Sequence, residues 1–174
     1  HGIPGDRTLQ DGDIVNIDVT AIINDHYGDT SRMYTIGDIS VKSKKLINVT
    51  YESLNRAIKI LKPGKRIGDI GYEIQSFVEK NGFSVVRDFC GHGIGTNFHQ
   101  EPNILHYGSK DTGDELKPGM TFTIEPMINA GKYHTKVLND GWTAVTKDKT
   151  LSAQFEHTVG ITENGYEIFT ESAK

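Results

Sequence analysis

The chain has 174 residues, enough for one domain with a sizeable core, and its 36% apolar and 24% charged content is that of an ordinary soluble domain. A formal net charge of −4 with no basic run argues against a nucleic-acid or membrane-surface binder, and no apolar stretch reaches membrane-spanning length. The single cysteine, Cys90, excludes an internal disulfide and points to a reducing compartment, the cytoplasm.

The chain opens on His1 in "HGIPGD", which reads like the interior of a protein and contains no signal peptide. Residues 13–25, "DIVNIDVTAIIND", read as a strand with Val15, Ile17, Val19, Ala21 and Ile23 on one face and Asn16, Asp18 and Thr20 on the other. Gly28 marks a turn, and residues 29–36 complete a hairpin with the first strand. Residues 43–62 carry a helical period, ended by "KPGKR", and residues 67–81 a second, capped by Gly82. "FSVVRDF" (83–89) is a strand, residues 91–108 a Gly-rich loop region, and "MTFTIEPMI" (120–128) another strand. Residues 142–146, 152–162 and 166–170 make a closing antiparallel group. The glycosylation sequon at Asn48 falls in the first helix and is discounted.

Asp18 stands out, because Asp is disfavoured in strands and costly to bury as a charge. An internal repeat puts it in company. Residues 9–18, "LQDGDIVNID", and 116–125, "LKPGMTFTIE", both fit L-x-x-G-x-x-x-x-I-[D/E], with the carboxylate on the polar strand face. "HGIP" at residue 1 and "HGIG" at residue 92 lie upstream of the two copies, and Asp29 and Glu156 lie downstream. The chain therefore reads as two related halves that meet at their polar faces. Two helices and a strand precede "HGIG" but not "HGIP", so the repeat implies an absent N-terminal segment of very roughly fifty residues.

Four strand carboxylates, Asp18, Asp29, Glu125 and Glu156, are candidates to converge, and without a cation they would repel one another. His92, between glycines in "GHGIG", adds an imidazole; oxygen donors with one nitrogen suit Mn, Fe, Co or Zn, and such a set resembles a two-metal hydrolase centre. Taken singly, each residue has a plainer reading. Asp18 and Asp29 fit turn bonding, Glu125 a solvated edge, Glu156 a lysine partner and His92 a core histidine. His26, His106, His134 and His157 have no support from the repeat.

Together, "HGIP", "GDIVNIDVT", "GDTSRMY", "GHGIG", "FHQEP", "TIEPMIN", "DGWT" and "SAQFEHT" resemble the type I, bacterial-style methionine aminopeptidases, in order and spacing, across essentially the whole chain. The resemblance implies an α/β (α+β) "pita-bread" fold: pseudo-two-fold halves, with an antiparallel sheet and helices on its outer face. Residues 1–174 would be one catalytic domain, about 1–40 the remnant of the first half and about 41–174 the second. It implies a metal-dependent hydrolase of the cytoplasm that removes the initiator methionine from nascent chains with a small second residue. Its cofactors would be two divalent ions (Co, Mn, Fe or Zn), held by Asp18, Asp29, His92, Glu125 and Glu156. Asp29 and Glu156 would bridge, Asp18 chelate one ion, and His92 and Glu125 bind the other. A metal-bridging hydroxide would attack the first peptide bond, Glu125 shuttling the proton and His99 stabilising the intermediate. His1 would lie near the leaving side, and Phe98 and Trp142 would wall the methionine pocket; both aromatics otherwise read as core. The family implies a monomer that associates with ribosomes.

Two departures stand against the pattern. The family's N-terminal segment is missing, and Tyr27 precedes Gly28 where some members have His, a position that is no ligand. An Xaa-Pro-specific relative of the same fold, or a non-catalytic pita-bread module, are the alternatives. "GDTSRMY" and "DGWT…SAQFEHT" favour the methionine enzyme over the first, and five filled ligand positions favour an enzyme over the second.

Overall fold

The computed structural model describes residues 1–171. Its main sheet starts with a ten-residue pair, β1 (Ile14–Ile23) and β2 (His26–Thr35), in register from Ile14↔Thr35 to Ile23↔His26. The turn between them is Asn24-Asp25, both at positive φ (49° and 62°), not Gly28 as expected. Short Asx side chains tolerate the left-handed region that a two-residue hairpin requires. Gly28 lies inside β2, opposite Ala21.

The helices follow as expected, α1 at Val41–Lys59 and α2 at Ile67–Lys80. Ser40 caps α1, its hydroxyl accepting the Ser43 N–H at 3.1 Å. Leu46, Val49, Leu54, Ala57 and Ile58 line its buried stripe, and Ile67, Ile70, Ile74 and Val78 that of α2. The two helices pack on each other and on strands of both larger sheets, and their stripes form the core with Ile104, Phe122, Ile124 and Ile128. That burial supplies the main favourable term in folding.

After the helices come β3 (Ser84–Val85), β4 (Gly91–Gly93), β5 (Gln100–Ile104), β6 (Thr121–Ile124) and β7 (Met127–Asn129). Then follow β8 (Thr135–Val137), β9 (Ala144–Thr146), β10 (Ser152–Gln154), β11 (Glu156–Ile161) and β12 (Tyr166–Ile168). The main sheet runs β1-β2-β11-β6-β4-β5, with β12 added on β11; β10-β7-β3 and β8-β9 form two smaller sheets. Four expectations change. The closing group expected from 142–146, 152–162 and 166–170 is divided: β9 pairs with β8, and 152–162 breaks into β10 and β11, which join different sheets. Strand 83–89 shrinks to β3. The loop expected over 91–108 contains the antiparallel pair β4–β5, with a register shift after His92. The strand expected over 120–128 breaks at Glu125-Pro126 into β6 and β7, which join different sheets; proline has no N–H to continue a ladder.

The two repeats fold alike. Gly12 and Gly119 both turn at φ 89°. Gly12 N–H donates to Ile36 O (2.8 Å) as Gly119 N–H does to Ile161 O (2.9 Å). Their outer strands, β2 and β11, pair directly through Glu156↔Ser31 and His157↔Thr30, so the halves meet along this seam. The apolar face of β1 is open, with Ile17, Val19 and Ile23 at 50%, 53% and 72% exposure.

Candidate metal centre

Strand alternation along the seam delivers the carboxylates to one cleft of about 910 Å³. Asp29 enters from β2, Glu156 from the start of β11 and His92 from β4. Glu125 enters from the break after β6, and Asp18 stands exposed at the rim on β1. One donor atom each from Asp29, His92 and Glu156 lies within 4.8 Å of the others. Glu125 adjoins them, Oε1 lying 3.6 Å from His92 Nε2, which is 4.0 Å from Asp29 Oδ2.

Asp29, His92 and Glu125 are each held by specific bonds. Thr20 Oγ1 donates to Asp29 Oδ1 (2.8 Å). Thr158 Oγ1 accepts the Asp29 N–H and donates to the Asp29 carbonyl, both at 2.8 Å. Thr123 Oγ1 accepts the His92 N–H (3.1 Å) and donates to Glu125 Oε1 (2.7 Å), which couples these two. Gln154 Nε2 donates to Glu125 Oε2 (3.4 Å). His92 Nδ1 is 3.0 Å from the Gly93 carbonyl, and a carbonyl can only accept. The proton therefore sits on Nδ1, and the Nε2 lone pair faces the cleft. Close backbone contact requires the flanking glycines: a Cβ on Gly91 would stand 2.4 Å from Thr123 O, and one on Gly93 2.2 Å from Glu101 O.

The electrostatics of the bare cluster are strained. Burial, then the charges of Glu125, Asp29 and Asp18, push the Glu156 carboxyl far up. Burial followed by the Asp29 and Asp18 charges raises Glu125, although its bond from Thr123 works the other way. Asp18 is raised to about 6 by partial burial and by Asp29. His92 is lowered by burial, so it stays neutral and able to ligate. Glu156 is 1% exposed, and its Oε1 has no hydrogen-bond partner among the described residues. An orphaned buried carboxylate oxygen among three further carboxylates and an imidazole lone pair fits a hard to borderline divalent cation.

The other expected residues line the same cleft. The His99 ring lies 4.2 Å from that of His92 and 4.0 Å from that of Phe98. The His1 ring meets Phe89 edge-on at 4.6 Å. Trp142, 63% exposed, sits in the turn of the β8–β9 hairpin. The structure thus gathers all of the sequence-derived site residues. His26, His134 and His157 stay outside, and His157 bonds Thr170 at 2.9 Å.

Some neighbours escaped the sequence reading. Thr20, Thr123, Thr158 and Gln154 were visible as face-mates of the carboxylates, and that spacing was their signal. His106 had none: fully buried and pushed down to about 3 by burial, its Nε2 accepts the Glu125 N–H at 3.1 Å. Tyr27 also serves the site, stacking on Phe98 at 5.5 Å.

Residues 1–163 match metallopeptidase family M24. The methionine aminopeptidase of Rickettsia prowazekii (strain Madrid E) is 59% identical over 175 residues, covering 100% of this chain and 68% of that protein. The methionine aminopeptidase of Escherichia coli (strain K12) is 56% identical over 171 residues, covering 98% and 65%. A crystal structure of methionine aminopeptidase from Rickettsia prowazekii superimposes with a TM-score of 0.97, over 98% of this chain and 69% of that one. The chain spans about two thirds of the length of these curated relatives.

Proposed function

The chain belongs to metallopeptidase family M24 and within it to the methionine aminopeptidases, with their pita-bread fold, and from that premise we propose that it removes the initiator methionine from nascent polypeptides whose second residue is small. The observation that carries this reading is the convergence of four carboxylates and the His92 Nε2 lone pair in one cleft, with Glu156 Oε1 unpartnered among the described residues.

In this reading Asp18, Asp29 and Glu156 would hold one divalent ion (Co, Mn, Fe or Zn), and His92 and Glu125, with Asp29 and Glu156 in common, would hold a second. When bound, such a pair supplies hydroxide near neutral pH and polarises the scissile carbonyl. Glu125 takes up a proton at its carboxylate and passes it to the departing amine. His99, whose ring adjoins that of His92, donates to the developing oxyanion. His1 lies on the leaving side, and Phe98 and Trp142 wall a pocket for the flexible thioether. Residues 1–174 act as one catalytic domain, about 1–40 belonging to the first half and about 41–174 to the second.

A cytoplasmic monomer that meets its substrates at the ribosome suits nascent-chain chemistry. Among the described residues no helix is long and apolar enough to cross a membrane. The test is methionine release from Met-Gly-Met by chelator-stripped protein, with and without added Mn(II), beside an Ala-Pro peptide. Release that needs the metal and spares Ala-Pro is expected. Preference for Ala-Pro would contradict the reading in favour of an Xaa-Pro-specific relative.

A further inference from the structure

The wall of the cleft that carries Trp142 hangs from the body by few bonds. Among the described residues, β8 and β9 pair only with each other. Their turn is closed by its own hydrogen bonds. Leu138 N–H donates to Thr143 O (2.8 Å), and the Asp140 carboxylate accepts the N–H groups of Trp142 (3.0 Å) and Thr143 (2.8 Å). What freedom it has is therefore that of the hairpin as a unit. Val137, Gly141 and Trp142 of this hairpin face the cleft.

The root of β8 is fastened by two adjacent residues. Asp88 Oδ2 accepts a hydrogen bond from Thr135 Oγ1 at 2.6 Å. The Arg87 guanidinium lies over the Tyr133 ring at 4.5 Å and the Tyr107 ring at 5.2 Å. On β9 the fastening to the body is, among the described residues, one backbone bond, Ala144 N–H to His1 O at 3.1 Å. Asp88 also starts the segment that leads through Phe89 and Cys90, both lining the cleft, to His92. One carboxylate thus ties the wall to the floor that bears a metal ligand.

We infer that Asp88 is a positioning residue: through Thr135 it seats the β8–β9 hairpin, and with it Trp142 and Val137, against the substrate's first side chain. This rests on the proposed aminopeptidase reading of the cleft. A hydrogen bond to an ionised acceptor is among the stronger tethers available to a surface hairpin. Its loss lowers the fraction of molecules with the wall seated, which weakens apparent binding and leaves the reaction of the bound complex intact.

The test uses metal-loaded protein carrying Asp88→Ala, Thr135→Val, both together, or the conservative Thr135→Ser. KM for Met-Gly-Met rises about fivefold in either single variant, with kcat within about twofold and Mn(II) affinity unchanged. The double variant is no worse than the singles, and Thr135→Ser behaves as wild type. Trp142 is the single tryptophan of the chain, so its fluorescence anisotropy reports the hairpin directly. It falls in Asp88→Ala and Thr135→Val and not in Thr135→Ser. Unchanged anisotropy in Thr135→Val, or a loss of kcat together with metal, overturns the inference. If the wild type releases no methionine, the aminopeptidase reading fails by itself, and the anisotropy alone then decides whether the tether exists.

Discussion

A buried carboxylate with an unbonded oxygen is costly, and the sequence places Glu156 where three other carboxylates make it costlier. Glu156→Gln keeps the shape and removes the charge. The metal-free variant is expected to melt above the wild type at pH values over 6.5, while its Mn(II) affinity falls by more than the roughly 10- to 100-fold typical of an outer-shell partner. Thermal melting and equilibrium dialysis check the two halves. Mn(II) binding as tight as wild type would remove Glu156 from the ligand set. Residues of this kind were legible in the sequence, because alternation and the repeat put four carboxylates on polar faces. His106 was not, since the bond from Glu125 that gives it a role spans 19 residues and exists only in the fold.

The element that brings His92 into place is β4, a strand of three residues, two of them glycine. Glycine weakens strand propensity, and for that reason the sequence read as loop here. The close approach to Thr123 and Glu101 is what the glycines serve. Gly91→Ala would put a Cβ 2.4 Å from Thr123 O, forcing β4 from β6. We expect a loss of about 1–3 kcal/mol, read from the urea midpoint at unchanged slope, and weaker Mn(II) binding because His92 moves with the strand. A variant as stable as wild type would mean that the contact is not tight. The helices were readable to within a few residues because their apolar period is local. The strand boundaries were not: the break at Glu125-Pro126 depends on which sheet each segment joins, and at the hairpin Gly28 carried a stronger turn signal than the Asn24-Asp25 pair that makes the turn.

Across the whole molecule, the repeat was legible as sequence and recurs as structure, in the paired glycine turns and the β2–β11 seam. What the repeat did not show is register. Asp29 lies seven residues before Ile36 and Glu156 five before Ile161, so the two second-strand carboxylates are not symmetry mates. The seam concentrates acid groups, and proton linkage follows from that. Asp18, Glu125 and Glu156 have raised pKa values, so the metal-free folded state binds more protons than the unfolded chain. Their contribution is complete at low pH and is lost as pH rises through the folded values. His92, His106 and His157 are lowered and act oppositely, but only below the ordinary histidine value of 6.5, above which they are neutral in both states. The most direct test of a cation site at this seam is therefore the melting temperature of chelator-stripped protein at about pH 6.5 and about pH 8, with and without Mn(II). Without metal it should fall between the two, by about 2–4 °C for each kcal/mol of linkage. Mn(II) should raise it, and more at the higher pH, where the ligands need not lose protons. A melting temperature that does not fall with pH and does not respond to Mn(II) would contradict the account.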